Sequence, residues 1–282
     1  MAIAESVNVP FVWGELSLHV SARSDRGNVR EVNEDSFVAA HPVFLVADGM
    51  GGHEHGDKAS QEVARVFSTL VGETSLSHAR VLDALRSANG AVRALGQNAE
   101  GDSIAGTTLS GLAFISDSSS VSTYWMAFNI GDSRVYGWDG LALSQLTVDH
   151  SAVQELVDGG VISAEEALSH PQRNVITRAV GVEEQIDADV WLLPAAGHQF
   201  FIICSDGLTK EISDARMAEL LTEHVSEDAT TIADLLVDAA LELGGRDNVT
   251  VVVVESTLLA TDLGVGSRAP GGEFLEETLP RI

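Results

Sequence analysis

Basic residues are scarce in this sequence: 16 lysines and arginines stand against 42 aspartates and glutamates, a formal net charge of −26. Such a chain repels nucleic acid and anionic lipid, so neither a polyanion nor a membrane surface is expected as a partner. Cysteine is almost missing. Cys204 is the only one, which rules out a disulfide within the chain and fits a reducing, cytoplasmic compartment. Met1 to Val20 contains neither lysine nor arginine, unlike a secretory signal. The apolar run Val249–Val254 is far short of the roughly 20 residues that a membrane helix needs. What the chain does have is apolar residues, 45% of 282, enough to bury a substantial core in one large domain or two small ones.

Strand-like runs bounded by glycine and aspartate alternate with amphipathic stretches. Strands are expected over Leu16–Ala22, Ser36–Ala40, Pro42–Ala47, Thr107–Ile115, Thr123–Ile130 and Ser133–Trp138. Further strands are expected over Ile186–Leu193, Gln199–Cys204 and Asn248–Ser256. Asp139-Gly140 marks a hairpin turn. Helical spacing of apolar residues appears over Lys58–Val71 and His78–Leu95, and helices are also expected at Asp149–Asp158, Asp214–Thr222 and Asp228–Leu243. Strands and helices do not alternate one by one, so an antiparallel α+β sandwich fits better than a doubly wound parallel sheet. Residues 1–257 form the expected globular domain and 258–282 a flexible acidic tail, rich in glycine from Gly264 onward.

One device recurs. The apolar run Val43–Ala47 stops at Asp48-Gly49-Met50-Gly51-Gly52-His53, and Phe200–Cys204 runs through Ser205 into Asp206-Gly207. Gly131-Asp132 closes a third run, Asp247-Asn248 precedes Val249–Val254, and Glu34-Asp35 precedes Ser36–Val38. Each Asp-Gly alone is most simply a turn. Together, four or five carboxylates at strand ends on one edge make a hard, oxygen-only cage, which selects Mg²⁺ or Mn²⁺ over zinc.

These blocks, in this order, resemble the metal-dependent protein serine/threonine phosphatase family (type 2C, PPM), particularly its compact bacterial members. The resemblance also takes in Ser24-Asp25-Arg26-Gly27, Gly106-Thr107-Thr108, Gly131-Asp132-Ser133-Arg134, Asp149-His150-Ser151, Thr177-Arg178-Ala179-Val180-Gly181 and Gly245-Arg246-Asp247-Asn248. It implies a four-layer α-β-β-α sandwich, two antiparallel sheets flanked by helix pairs. It implies two Mn²⁺ or Mg²⁺ ions, with Asp48 as the bridge, the Gly49 carbonyl and Glu34 as further ligands, and Asp206 and Asp247 completing one shell. Asp132, with Asp206, would form a third, weaker site. Arg30 would grip the phosphate, and Asp35 would orient the attacking water. The implied reaction is hydrolysis of phosphoserine or phosphothreonine by in-line attack of a metal-bridging hydroxide.

Where eukaryotic relatives carry a histidine as proton donor, this chain has Met50, and His53 lies three residues further on. The segment His150–Asn174 corresponds to a mobile flap in bacterial members. The implied partners are phosphorylated proteins, a serine/threonine kinase and that kinase's substrates, with the chain acting as a monomer. Two other readings stay open: a non-catalytic phosphoprotein-binding regulator, and a two-metal hydrolase of small phosphate esters. His53-Glu54-His55 lacks the spacing of a helical zinc pair, Asp57 interrupts a near P-loop, and Pro270 stands where a dinucleotide-binding helix should begin. Trp125 and Cys204 read as core, and Thr278 in the tail as a phosphorylation or docking site.

Overall fold

The structure, a computed structural model, describes residues 1–11, 14–50, 55–97, 105–116, 123–224 and 231–260. Its order follows from strands that are apolar on both faces. In β4 (Val43–Met50), Val43, Leu45 and Ala47 face one core while Phe44 and Val46 face another. In β11 (His198–Cys204) and β12 (Val249–Ala260), Ile202, Cys204, Val251 and Val253 face outward to helices, whereas Phe201, Ile203, Val252 and Val254 face inward. A strand buried on both sides must lie between two layers, because successive side chains point to opposite faces.

Two antiparallel sheets result. One runs β1-β2-β12-β11-β8-β9, where β1 is Ala2–Phe11, β2 Gly14–Asp25, β8 Arg134–Trp138 and β9 Leu143–Gln145. The other runs β10-β7-β6-β4-β3, where β3 is Asp35–Ala40, β6 Leu109–Ser116, β7 Thr123–Ile130 and β10 Asp189–Pro194. The short β5, Gly106–Thr107, pairs with the end of β4. Between the sheets lies a core in which Trp125 meets Phe44, Phe114 and Phe201.

Helix α1 (Gly56–Ser68) and α2 (His78–Gln97) cover the second sheet with Ala59, Val63, Phe67, Val81, Leu85, Ala88 and Val92. Phe67 stacks on Phe128 of β7 with centroids 5.6 Å apart. The first sheet is covered by α5 (Asp206–Thr209), α6 (Asp214–Glu223) and α7 (Ile232–Leu243), through Leu208, Met217, Leu221, Leu236 and Val237. The expected four-layer sandwich is present.

Some expected elements differ in detail. The expected strand Thr107–Ile115 is two strands broken at Thr108, whose side chain is turned to other work described below. Strand β1 was not among the expected strands. Its Ser6 and Asn8 alternate with Val7 and Val9, and on the face that carries Ile3, Val7 and Val9 the exposed Glu5 does not touch the core. Helix α3 (Ala152–Asp158) begins three residues later than expected, because Ser151 caps it by accepting from Gln154 N. Helix α4 (Ala164–Ser169) opens on a Ser163–Glu166 capping box. The expected tail overlaps the end of β12, and 261–282, with Thr278, lie outside the described residues. Among the described residues no helix is long and apolar enough to cross a membrane.

Candidate active site

The strand registers gather the carboxylates at one end of the sandwich. Asp35, which opens β3, pairs directly with Asp48 near the end of β4. Val249 at the start of β12 pairs with Asp25 at the end of β2, and Cys204 at the end of β11 pairs with Val251 and Arg134. Asp48 continues the parity of Phe44 and Val46, so it points between the sheets at their lip.

The backbone around Asp48 is held on both sides. Its carbonyl accepts from Thr108 N and Thr107 Oγ1, each at 2.9 Å, and its amide donates to Thr108 Oγ1 at 3.0 Å. This is why β5 and β6 break at Thr108. Gly49 is required by crowding: a Cβ there would collide with the Gly56 carbonyl and lie 2.6 Å from the Glu34 carbonyl. The Glu34 carboxylate in turn lies against Gly56 at the start of α1.

The other half of the lip is built by two turns locked together. Gly207 packs so tightly on the Asn248 carbonyl that a Cβ would overlap it, which brings Asp206 and Asp247 side by side. Asn248 accepts from Glu34 N at 2.9 Å and donates to the carbonyls of Arg26 and Val32. It thereby ties the loop carrying Arg30 and Glu34 to the start of β12. Arg30 forms a two-pronged pair with Asp247, Nε to Oδ1 at 2.9 Å and its terminal nitrogen to Oδ2 at 3.1 Å. Lys210, one turn beyond Asp206, bonds to Asp206 Oδ2 and reaches Asp247 Oδ2 at 3.2 Å. Asp132 follows Gly131, whose φ of +105° is open to glycine at little cost.

Crowding like charges in a partly dry lip changes their chemistry. Burial raises Asp35 to about 7 against hydrogen bonds from Thr250 and Ser205, with Asp206 and Asp247 adding to the rise. Burial also raises Asp132 to about 7, helped by Asp206 and Asp149. Asp48 is raised well above the carboxylate range by burial and then by Asp35, Asp206, Asp132 and Asp247. Asp247 alone is lowered: burial pushes it up, but Lys210 and Arg30 outweigh that. These mutual influences place Asp35, Asp48, Asp132, Asp206 and Asp247 within reach of one another.

Three of these carboxylates present a buried oxygen without a hydrogen-bond partner, Oδ1 of Asp35, Asp132 and Asp206. Buried polar atoms are normally paired, and an oxygen-only donor set of this kind suits a hard divalent cation. Among the described residues no group of three or more acidic, histidine or cysteine side chains is arranged to hold a metal ion as the lip stands. Lys210 supplies the positive charge between two of them instead.

All the residues expected to share one site, Arg30, Glu34, Asp35, Asp48, Gly49, Asp132, Asp206 and Asp247, lie around this lip. Arg30 is not paired with Glu31 or Glu34, as a simple surface bridge would have it, but with Asp247. Met50 is partly buried and carries no proton to give, while His53 lies outside the described residues. The sequence reading missed Lys210, although its spacing of four from Asp206 on a helix was a usable signal. It also missed the orienting roles of Ser205, which donates to Asp35 Oδ2 at 2.9 Å, and of Asn248.

Comparison with known proteins points the same way. A sequence model described as protein phosphatase 2C matches residues 28–241. The chain is 35% identical to the serine/threonine phosphatase stp of Listeria innocua over 253 residues, covering 86% of this chain and 97% of that protein. The crystal structure of the Mycobacterium tuberculosis serine/threonine phosphatase PstP/Ppp superposes with a TM-score of 0.75 at 39% identity, covering 84% of this chain and 98% of that one. A PstP catalytic domain solved with two manganese ions is similar at 36% identity and a TM-score of 0.75, covering 86% of this chain and 99% of that one.

Proposed function

The chain belongs to the protein phosphatase 2C family and is a protein serine/threonine phosphatase, and from that premise we propose how its own residues divide the work. Its cofactors are manganese or magnesium ions, in keeping with the manganese-bound relative. Asp48 would bridge two ions, with the Gly49 carbonyl, Glu34, Asp206 and Asp247 as further ligands and Asp132 serving a third, weaker position. The observation that carries this reading is the set of unpartnered buried oxygens of Asp35, Asp132 and Asp206, carboxylates that act electrostatically on Asp48 at the lip. Bound divalent cations there supply Lewis-acid charge and lower the pKa of the attacking water.

The protein's own part is placement. Arg30 is half exposed at the mouth, and its planar fork fits two phosphate oxygens as it now fits two carboxylate oxygens of Asp247. Asp35, fixed at Oδ2 by Ser205, keeps Oδ1 unbonded and aims it at the water that attacks phosphorus. The Thr107–Thr108 clamp fixes the Asp48 backbone, so the bridging carboxylate needs little reorganisation.

Phosphorylated proteins are the substrates. An opposing serine/threonine kinase and its targets, a single-copy chain and a cytoplasmic setting complete the proposal; the buried free thiol of Cys204 supports a reducing compartment. The test is phosphate release from a phosphothreonine peptide with Mn²⁺, beside Asp206→Ala and beside a nucleotide monophosphate at equal concentration. Metal-dependent release from the peptide, lost in Asp206→Ala, is expected. Release without metal, or preference for the nucleotide, overturns the reading.

A further inference from the structure

Lys210 sits where an ion would have to go. Its ammonium is bonded to Asp206 Oδ2 and lies 3.2 Å from Asp247 Oδ2, and its side chain is only 37% exposed. Two carboxylates brought this close repel unless something positive lies between them, and the ammonium does that. The protein's other cation at the lip, Arg30, touches Asp247 but not Asp206. Among the described residues Lys210 alone joins the two.

We propose that Lys210 is a tethered counter-ion that competes with divalent metal for the Asp206–Asp247 seat. It holds the metal-free lip together and keeps the affinity of that seat low. The inference rests on the reading of Asp206 and Asp247 as metal ligands. A divalent ion taken up by these two carboxylates, through the open Asp206 Oδ1 or through Oδ2, would face the ammonium across a single carboxylate, and repulsion between two cations that close is poorly screened. Loading therefore expels the Lys210 head. The four-carbon stem allows this, and the partly exposed side chain already has an outward path. Expulsion forfeits two charge-assisted bonds, and that loss is subtracted from the gain of binding metal. A tighter or higher-charge ion overcomes the loss at lower concentration, so Lys210 sets a threshold of metal supply below which the seat stays closed.

The test is calorimetric titration of Mn²⁺ into chelator-stripped protein, for wild type, Lys210→Gln, Lys210→Met and Lys210→Arg, with melting temperature in EDTA as a second readout. Arg246→Gln serves as the control for a general charge effect, since Arg246 is exposed and bonded to Glu211 rather than to the lip. Lys210→Gln and Lys210→Met are expected to bind Mn²⁺ about tenfold tighter or more and to melt lower in EDTA. Lys210→Arg and Arg246→Gln are expected to stay near wild type in affinity. Unchanged or weaker Mn²⁺ binding by folded Lys210→Gln and Lys210→Met, beside a wild type that binds, overturns the role of Lys210 alone. A wild type that binds no Mn²⁺, or an Asp206→Asn variant that binds as well as wild type, overturns the ligand assignment beneath it.

Discussion

Asp48 sits in a local conflict, a carboxylate held among four others in a poorly hydrated lip. Without metal, that arrangement works against the fold. Asp48→Asn is therefore expected to abolish Mn²⁺-dependent phosphate release while raising the melting temperature of the metal-free protein, by about 2–4 °C. A scan in EDTA beside an activity assay reads both. His41, remote from the lip, is a second place where burial changes a side chain's chemistry. Its ring packs at 5.9 Å from Phe114, its Nε2 has no hydrogen-bond partner, and burial lowers it to about 4 from the ordinary 6.5. The folded state thus resists protonating His41 while the unfolded chain accepts the proton. Above about 6.5 the residue has no effect; as pH falls from there to about 4, stability is lost, and below about 4 the loss levels off. At about 1.4 kcal/mol per pH unit of displacement, the loss comes to about 3 kcal/mol. Urea unfolding from pH 7 to pH 4 should show it in wild type and not in His41→Gln.

At the level of elements, the lip depends on close backbone approach between the end of β4 and the start of α1. Gly49→Ala drives a methyl into the carbonyls of Gly56 and Glu34, so α1 or the Glu34 loop must shift. A stability loss of about 1–3 kcal/mol is expected by chemical denaturation, together with weaker Mn²⁺ binding. The strands that place the carboxylates were readable in advance because β4, β11 and β12 are apolar on both faces, a pattern few other structures tolerate. Strand β1 was not readable, since half of its side chains face water and its pairing with β2 is what orders it. Helix α4 is six residues and α5 four, too short for a periodic signal. The Asp-Gly motifs pointed to the lip because each lies at a strand end, and strand ends cluster. Lys210 stayed hidden because its second partner, Asp247, lies 37 residues away and meets it only after Gly207 closes on Asn248.

Across the whole molecule, the cations reach into stability as well as catalysis. The proposed ligands, from β4, from the β3 entry, from α5 and from the β12 entry, span both sheets, so metal that binds only the folded lip is expected to hold the sandwich together. At a free Mn²⁺ concentration a hundredfold above Kd, a gain of about 2.7 kcal/mol is expected, falling away on chelation. A melting curve recorded against Mn²⁺ concentration reads it; a midpoint that does not move with Mn²⁺ counts against the lip as the binding site.

Strand β12, although it is last in order among the described strands, lies in the interior of its sheet with β2 on one side and β11 on the other. Asp247 enters the lip just ahead of it. During synthesis, therefore, β1 and β2 can pair early, yet they wait beside an open edge until β12 leaves the ribosome. A nascent chain stopped before Asp247 has neither the middle of that sheet nor one side of the Asp206–Asp247 seat. A chain cut before Asp247 is therefore expected to release no phosphate from a phosphothreonine peptide, which the same assay reads.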